Sequence, residues 1–342
     1  MLSVICPIYN EEKYIRKCID SILSQDYPYN DMEVLFVDGM STDRTRNIVS
    51  EYTKQYSHIR LIDNPHKIVP CAMNIGIRAS KGDVIIRLDA HASYQPDYFS
   101  VLYRYSCELR VENVGVVCRT DVLNKTPKTL AIREVLSNKF GVGNSAFRTG
   151  INQIMAVDTV PFGCWPRSVF DRYGLYDERL IRNQDIELNK RIKHGGGKIV
   201  IVPDTYCTYL ARETFSGLAK NNFGNGKWNI LTVYYTGQLQ SLSLRHFIPL
   251  IFLVLLILPI FVSFIWLPLG WVSILSIVGY LFAIGIISGM LAHRKGLHFG
   301  YLLWSFIVLH LSYGWGSLCG LGLVIFNKKI GITKRVYSLS TP

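Results

Sequence analysis

The sequence predicts an α/β domain, with a mostly parallel sheet flanked by helices, followed by a C-terminal α-helical membrane domain. Two features of the 342-residue chain support this prediction. Up to Leu244, short apolar runs alternate with segments of helical periodicity, which is typical of βαβ units. Beyond Leu244 the chain is almost uncharged, in apolar runs about long enough to cross roughly 30 Å of hydrocarbon. We therefore divide it into residues 1–244 and 245–342, and expect a chain truncated before Phe247 to fold and bind nucleotide.

The first two strands are predicted from short apolar runs, Leu2–Ile8 and Glu33–Asp38. Between them, apolar residues recur on one helical face from Glu11 to Gln25. Asn10 stands just before this periodic segment, where an asparagine side chain can accept a hydrogen bond from the first turn. The pattern therefore predicts a strand, a helix capped by Asn10, and a second strand.

The same alternation continues along the chain. A second helix is expected near Thr42 or Asp43, a third over Pro70–Ala79, and a further strand over Val84–Leu88. This βαβαβ order predicts a parallel sheet with helices on both faces. In such sheets, ligands bind at the carboxyl ends of the strands. Those ends carry Tyr9-Asn10-Glu11, Asp38-Gly39 and Asp89-Ala90-His91. No Gly-x-Gly-x-x-Gly follows the first strand, which disfavours a dinucleotide-binding fold.

The C-terminal part contains two to three hydrophobic segments, at about residues 248–269, 271–292 and 301–326, and a basic tail. The sequence that begins at Met1 shows no signal-peptide pattern, so the first domain is expected in the cytoplasm. A third full crossing would place the basic segment Asn327–Arg335 outside, against the positive-inside tendency. We therefore expect the small residues in Ser312–Ser317 to turn the third segment back as a re-entrant hairpin, with a full crossing as the alternative.

Charge and cysteine content exclude other classes. The net charge is +12, but no Lys/Arg stripe interleaved with aromatics occurs in the first domain, so we expect no nucleic-acid partner. The basic tail is expected to lie on an anionic membrane surface. The eight cysteines are far apart and form no Cys-x-x-Cys pair, which indicates neither a zinc site nor a disulfide framework.

Motifs at the strand ends carry a family resemblance. They are Cys6–Glu12, Val37–Asp43, Arg87–His91, Val157–Gly163 and Asn183–Asn189. Their order and spacing resemble the family 2 glycosyltransferases with the GT-A fold. The Asp-Ala-His and Val-Asp-Thr-Val-Pro-Phe-Gly forms are most similar to the succinoglycan branch, which extends lipid-linked exopolysaccharide repeats. The resemblance covers roughly Leu2–Trp228.

The resemblance implies an inverting, metal-dependent enzyme that moves a sugar from a nucleoside diphosphate donor, expected to be a UDP-sugar. The acceptor would be a polyprenyl-diphosphate-linked saccharide in exopolysaccharide or capsule biosynthesis, reached from the cytoplasmic face of a multi-pass inner-membrane protein. Two alternatives are a polyprenyl-phosphate sugar synthase and a catalytically inactive nucleotide-sugar-binding membrane protein. A processive synthase is disfavoured because Gly224 stands where those enzymes carry the glutamine of Gln-x-x-Arg-Trp.

The resemblance also assigns residues to the donor side, namely Pro7, Tyr9, Asn10, Glu11, Asp38, Asn74, Arg87 and Asp89. Asp38 would accept a hydrogen bond from the nucleobase or ribose, and Asn10 and Glu11 would border the base pocket. The alternative for Asp38 and Asn10 is a structural role in the strand-to-helix turn. Basic candidates for the diphosphate are Arg87, Arg148, Arg167 and Arg212.

Asp89 and His91 are the predicted metal ligands. Being two apart on an extended segment, their side chains can point to one side. A departing diphosphate gathers negative charge, which a divalent cation stabilises as a Lewis acid. Many relatives have Asp-x-Asp here, and an imidazole suits Mn²⁺ better than Mg²⁺. The alternative for His91 is a loop histidine bonded to backbone.

Asp185 is the predicted catalytic base. An inverting displacement needs one carboxylate to take the proton of the acceptor hydroxyl. The family usually has Glu-Asp here, and Gln184 in this chain removes a like charge beside Asp185. The expected helix start would also favour the anion through its dipole, although first-turn acids are common. Acceptor-side candidates are Trp165, Gln184, Arg167 and Trp228, with a membrane-interface anchor as the other interpretation of Trp228.

Overall fold

The computed structural model describes residues 1–237 and 244–326. Within them the strands are β1 (Leu2–Ile8), β2 (Met32–Asp38), β3 (Ile59–Asp63), β4 (Val84–Arg87), β5 (Ala92–Tyr94), β6 (Asn113–Asp121), β7 (Met155–Ala156), β8 (Cys164–Pro166) and β9 (Ile199–Leu210). The helices are α1 (Ile15–Leu23), α2 (Thr45–Gln55), α3 (Val69–Ala79), α4 (Tyr98–Leu109), α5 (Pro127–Ser137), α6 (Lys139–Val142), α7 (Ala146–Thr149), α8 (Ser168–Tyr173), α9 (Gln184–His194), α10 (Phe215–Thr236), α11 (Ile248–Val262), α12 (Gly270–Lys295) and α13 (Phe299–Ile325).

The strands form one sheet in the order β3-β2-β1-β4-β8-β6-β9-β5, with β7 paired to β9. The first four strands in this order are parallel, as the sequence predicts. The other half is mixed. Strand β8 runs antiparallel to β4 and β6, whereas β6 and β9 are parallel. The parallel half therefore brings the carboxyl ends of β1, β2 and β4 to one edge.

Both faces of the sheet are covered, as expected for a parallel core. Alternate residues of β1 point to opposite sides. Val4 and Cys6 pack with α1, α2 and α4, whereas Ile5 packs with α3, α8 and α9. All of these β1 side chains are fully buried. Helices on both faces fix the sheet, so the loops at its carboxyl edge are the exposed part of this half.

The first helix begins later than expected, and the prediction that Asn10 caps it was wrong. Helix α1 starts at Ile15, after a turn in which the amides of Tyr14 and Ile15 bond to the carbonyl of Glu11. Asn10 adopts the left-handed conformation, with φ +54°. Its side-chain oxygen accepts a hydrogen bond from the amide of Thr42 at 2.8 Å. Asn10 therefore joins the loop after β1 to the loop after β2.

The first hydrophobic segment is shorter than predicted. Helix α11 has 15 residues, or about 22 Å at 1.5 Å per residue, which is less than the roughly 30 Å of a bilayer core. Two helices of the described chain are long and apolar enough to cross a membrane, Leu267–Lys295 and Phe299–Ile325. Side chains between α11 and α12 are strongly exposed, including Phe264, Ile265 and Leu267 at 84%, 91% and 80%.

The third hydrophobic segment is one unbroken helix, so the predicted re-entrant turn at Ser312–Ser317 was wrong. The small residues serve close packing instead. A Cβ added to Gly316 would lie 2.0 Å from the carbonyl oxygen of Phe223. A Cβ added to Gly226 would lie 2.0 Å from the carbonyl oxygen of Tyr313. Glycine thus lets α10 and α13 approach backbone to backbone. The basic segment Asn327–Arg335 lies outside the described residues.

The helical region packs directly on the first part of the chain. Ala131 and Val135 of α5 share a buried cluster with Leu302 and Phe306 of α13. At the end of α12, Lys295 pairs with the buried Glu134 of α5 at 2.7 Å. The residues before and after Leu244 therefore share an apolar interface.

Candidate functional site

The loops that follow β1 and β2 lie against each other at the carboxyl edge. The Asn10 amide donates to the Ser41 hydroxyl at 2.9 Å, and the Glu11 amide donates to that of Thr45 at 2.8 Å. The Tyr9 ring lies over Gly39, where an added Cβ would meet it at 3.2 Å. Tyr9 is 46% exposed. These contacts form a surface with an exposed aromatic ring at the predicted donor side, and Pro7 is the last residue but one of β1.

Asp38 lies below this surface and is fully buried. Its carboxylate accepts hydrogen bonds from the Ser41 amide at 3.0 Å and from the Arg46 guanidinium at 2.6 Å. Arg46 also bonds to Asp63 at 2.8 Å, and both carboxylates raise the pKa of the guanidinium. In this conformation Asp38 holds the turn after β2 together. Sequence reasoning missed Arg46, because local patterns do not reveal which arginine a buried aspartate will meet.

Asp89 stands at the end of β4 in a rigid turn. The hydroxyl of the buried Tyr94 accepts from the Asp89 amide at 2.7 Å and donates to its carbonyl oxygen at 3.1 Å. The carboxylate of Asp89 accepts from the Arg87 guanidinium at 3.1 Å and is about one-fifth exposed. The main chain is thus fixed while the carboxylate faces the open edge.

His91 lies beside Asp89 and pairs with Glu11. Their Nδ1 and Oε1 atoms are 3.1 Å apart. Burial lowers the pKa of the imidazole, but the hydrogen bond to Glu11 and the charge of Asp89 outweigh it, so the pKa is raised overall. Glu11 was expected to border the base pocket, but its side chain reaches the predicted metal ligand instead.

The predicted metal ligands fit a cation held jointly with a substrate. Among residues 1–237 and 244–326, no three His, Cys, Asp or Glu side chains stand close enough to hold an ion. Asp89 offers a carboxylate. Because Glu11 bonds to Nδ1 of His91, the other ring nitrogen, Nε2, is left for coordination. Mg²⁺ and similar ions are often bound by one or two protein ligands plus substrate phosphates. The donor set therefore fits that arrangement.

Asp185 lies in the first turn of α9, two residues after the helix cap Asn183. One of its oxygens accepts from the Ile186 amide at 2.9 Å. The fully enclosed guanidinium of Arg87 lies within electrostatic reach of both Asp89 and Asp185. Burial alone would lower the pKa of Arg87, but Asp89, Tyr176 and Asp185 raise it overall. The structure thus brings the predicted metal ligand and the predicted base to one buried cation.

Arg87 retains unused hydrogen-bonding capacity. Its side chain is 6% exposed, and its Nε and Nη1 atoms have no partner among the described residues. Buried donors without partners are uncommon and cost free energy. The guanidinium is therefore held in place by the field of the two carboxylates rather than by a completed hydrogen-bond set.

Three predicted residues are enclosed by the scaffold or bonded to it instead of being exposed at this edge. The Asn74 amide is buried and bonds to the backbone of Tyr176, at 2.9 Å for both contacts. The Trp165 ring is 1% exposed in the core. Arg167 donates to the carbonyls of Gly82 and Ile77, at the start of β4. That is about 20 Å from Asp89 at roughly 3.3 Å per residue. All three stabilise the scaffold, contrary to the expected donor and acceptor roles.

The other acceptor-side candidates are also enclosed. Gln184 is 6% exposed, and its Oε1 atom has no partner among the described residues. Trp228 is 9% exposed and packs with Leu180 and Leu231. Trp228 is therefore neither an open sugar platform nor a lipid-facing anchor. Its ring packs the loop before α9 against α10.

A polar chain connects α9 to the helical region. The Asn183 amide donates to Asn229 of α10 at 2.8 Å, and the Asn229 amide donates to the Tyr313 hydroxyl of α13. Asn183 adopts the left-handed conformation, with φ +63°. The residue that precedes the first turn of α9 is therefore anchored through α10 to α13.

Comparison with known proteins agrees with this architecture. A family model described as glycosyl transferase family 2 matches residues 3–177, just over half of the chain. The chain is 27% identical over 230 residues to the dolichyl N-acetyl-alpha-D-glucosaminyl phosphate 3-beta-D-2,3-diacetamido-2,3-dideoxy-beta-D-glucuronosyltransferase of Methanococcus voltae, covering 66% of this chain and 71% of that protein. It is 28% identical over 235 residues to the succinoglycan biosynthesis protein ExoA of Rhizobium meliloti (strain 1021), covering 66% and 67%.

Among solved structures, the mannosyltransferase PcManGT from Pyrobaculum calidifontis, in complex with GDP-Man and Mn²⁺, superposes with a TM-score of 0.59. The two chains are 17% identical, and the match covers 94% of this chain and 86% of that one. At this identity the likeness concerns the fold. It confirms a GT-A-like α/β fold, here with a C-terminal helical region.

Proposed function

This chain belongs to glycosyltransferase family 2, and on that premise we propose that it transfers a sugar, with inversion, from a nucleoside diphosphate donor to a lipid-linked saccharide. A UDP-sugar is the expected donor. The observation that carries the proposal is the buried Arg87 guanidinium, which bonds to Asp89 and lies within electrostatic reach of Asp185. One carboxylate lies at a strand end suited to a diphosphate, and the other lies where an acceptor hydroxyl can be deprotonated.

Asp185 acts as the base in this proposal. Inversion proceeds by a single displacement, in which the acceptor oxygen attacks the anomeric carbon while a carboxylate takes its proton. Asp185 lies in the first turn of α9, and its anion is favoured by the helix dipole. The sugar then leaves its diphosphate as the new glycosidic bond forms.

Asp89 and His91 would hold a divalent cation against the donor diphosphate. Such a cation supplies Lewis-acid stabilisation of the leaving group when bound. Glu11 fixes the orientation of the His91 ring through Nδ1, as carboxylates commonly do for metal-binding histidines. Tyr9 offers an exposed ring beside the same loops, suited to the nucleobase.

The acceptor class is supported by two features. The name of the Methanococcus voltae relative specifies a dolichyl-linked acceptor, and that of the Rhizobium relative specifies succinoglycan biosynthesis. The helical region carries exposed apolar side chains and packs directly on α5 and α10. We therefore place the catalytic edge near the cytoplasmic surface of the inner membrane, where a polyprenyl-diphosphate-linked saccharide would be presented.

Calorimetry on the full chain in detergent tests the proposal. A panel of UDP-, GDP- and dTDP-sugars is titrated with and without Mn²⁺. We expect one donor to bind tightly and only with the cation, and Asp89→Asn to remove that dependence. Asp171→Asn, an exposed acid on α8, is the control. Folded protein that binds no donor would contradict the proposed function.

A further inference from the structure

Two arginines line one narrow pocket between the end of β9, α5 and α10, and a third bonds to a residue of its wall. Arg148 and Arg212 border it together with Tyr209. Arg182 approaches from the loop before α9 and donates to Asn225 at 2.7 Å and to Asn221 at 3.1 Å. Asn221 also lines the pocket. Three arginines from separate parts of the chain thus lie in or beside this pocket.

These arginines lack carboxylate partners. In the described part of the chain, none of the three forms an ion pair, whereas many of its other arginines do. Arg182 is partly buried, and burial, with a smaller contribution from Arg212, lowers its pKa. Gathering like charges without a counter-charge is unfavourable. A bound anion would offset the repulsion between these positive charges, because the paired N–H groups of a guanidinium match the oxygens of a phosphate.

The position of the pocket indicates that it suits the acceptor substrate better than the donor. Its inner wall is Tyr209, whose ring contacts His91 edge-on at 5.2 Å between centroids. Its outer wall includes Leu136 of α5 and Leu218 of α10. Those two helices pack on α13, and Leu136 belongs to the same apolar cluster. The pocket therefore lies between the proposed metal ligand His91 and the apolar helices.

We propose that Arg148, Arg182 and Arg212 form a subsite for the phosphate groups of the lipid-linked acceptor. The proposal rests on the proposed function, and it names the part of the acceptor that the protein recognises. A diphosphate held here would lie beside the apolar helices, so its polyprenyl chain could remain in the membrane. The attached saccharide would extend past Tyr209 towards Asp185.

Gly224 supports this assignment. The Arg182 guanidinium lies against it, and a Cβ added to Gly224 would be 3.0 Å from Cζ. A Cβ at this position would crowd the guanidinium, which would then have to shift by a few tenths of an ångström. Gly224 stands where processive synthases carry glutamine, so the replacement creates room for a cation. Gly224→Ala should displace Arg182 while retaining its charge.

The test measures two ligands on the full chain in detergent. Farnesyl diphosphate represents the acceptor headgroup, and UDP with Mn²⁺ represents the donor. We expect Arg212→Gln and Arg182→Gln each to weaken farnesyl diphosphate binding about ten- to a hundredfold, and to change UDP affinity less than about twofold. Arg78→Gln, an exposed arginine on α3, should change neither. We expect Gly224→Ala to weaken farnesyl diphosphate binding by an intermediate factor. This variant keeps the proposal testable if Arg182→Gln does not fold.

Equal losses for UDP and farnesyl diphosphate would assign the arginines to the donor diphosphate and overturn the proposal. Unchanged farnesyl diphosphate binding in all three variants would also overturn it. If wild-type protein binds farnesyl diphosphate through these arginines but binds no nucleotide or nucleotide sugar, the subsite stands and the proposed function fails.

Discussion

At the scale of single residues, Arg87 determines the electrostatics of the candidate site. Arg87 is buried, bonds directly to Asp89, and lies within electrostatic reach of Tyr176 and Asp185. The guanidinium offsets the negative charge of the two carboxylates, which lie in a partly buried region. Both proposed roles, cation binding and proton acceptance, require the ionised carboxylate.

We expect Arg87→Gln to lower the transfer rate at least tenfold and to weaken Mn²⁺-dependent donor binding. Arg87→Lys retains the positive charge but loses the paired N–H groups of the guanidinium. We expect it to recover part of the transfer rate and part of the donor binding. Transfer assays and donor calorimetry on the same preparations check this. A fully active Arg87→Gln protein would show that the buried cation has no part in the site.

Glu11 gives a second residue-scale prediction, because it orients a proposed metal ligand without binding the metal itself. Loss of such an outer carboxylate typically costs ten- to a hundredfold in metal affinity or activity. We expect Glu11→Gln to weaken Mn²⁺-dependent donor binding within that range. Glu108→Gln, on the exposed face of α4, is the matched control. Identical Mn²⁺ titrations for the two variants would remove Glu11 from the site.

Some of these residues could be predicted from the sequence and others could not. Asp89, His91 and Asp185 lie in recognisable motifs, and the structure brings Asp89 and Asp185 to one cation. Arg46 and Arg182 could not be identified, because their partners are 8 and 39 or more positions away and no local pattern encodes such pairs. Arg167 and Trp165 follow the Val157–Gly163 motif, yet they face the core.

At the scale of elements, the crossing of α10 and α13 is the least expected feature. Local composition suggested a break at Ser312–Ser317, since small residues often end helices. The same glycines instead meet the backbone of a neighbouring helix, which only tertiary structure reveals. By contrast, β1, β2 and α3 were predicted within a residue or so, because their apolar patterns have one clear period and each is buried on the side that its pattern indicates.

Gly316→Ala tests this crossing. The added Cβ would lie 2.0 Å from the Phe223 carbonyl oxygen, so the helices must separate. Over-packing of this kind costs about 1–3 kcal/mol. We expect a lower Tm and a lower transfer rate, since the separation also disturbs the bond between Asn229 and Tyr313. Gly322→Ala, on the same helix with nothing within 4 Å, should not lower the Tm. Equal effects of the two changes would contradict the close approach.

At the scale of the whole molecule, the division at Leu244 separates two compositions but not two independent structures. Helices α5 and α10 bury apolar side chains against α13, and the loop before α9 is seated on α10 by Trp228 and Leu180. Amino-acid composition predicted the boundary at Leu244, because the charged residues become rare there. Composition carries no information on which helices pack together.

This interface reverses the expectation for truncation. A chain that ends before Phe247 loses Leu302 and Phe306, which share a buried cluster with Ala131 and Val135 of α5, and it loses the residues of α13 that pack on α10. An exposed apolar patch of this kind promotes aggregation. We expect the truncated protein to aggregate in size-exclusion chromatography without detergent and to lose donor affinity. A monodisperse truncated protein that binds UDP normally would show that the catalytic part folds alone.

The proposed chemistry as a whole depends on Asp185 accepting a proton while the donor is held elsewhere. Its most direct test is sugar transfer by Asp185→Asn, with donor affinity measured on the same protein. The account predicts transfer reduced by at least about a thousandfold, with donor affinity within about twofold of wild type, because a base is needed only in the transition state. Transfer at the wild-type rate, with the donor bound normally, would show that another group is the base.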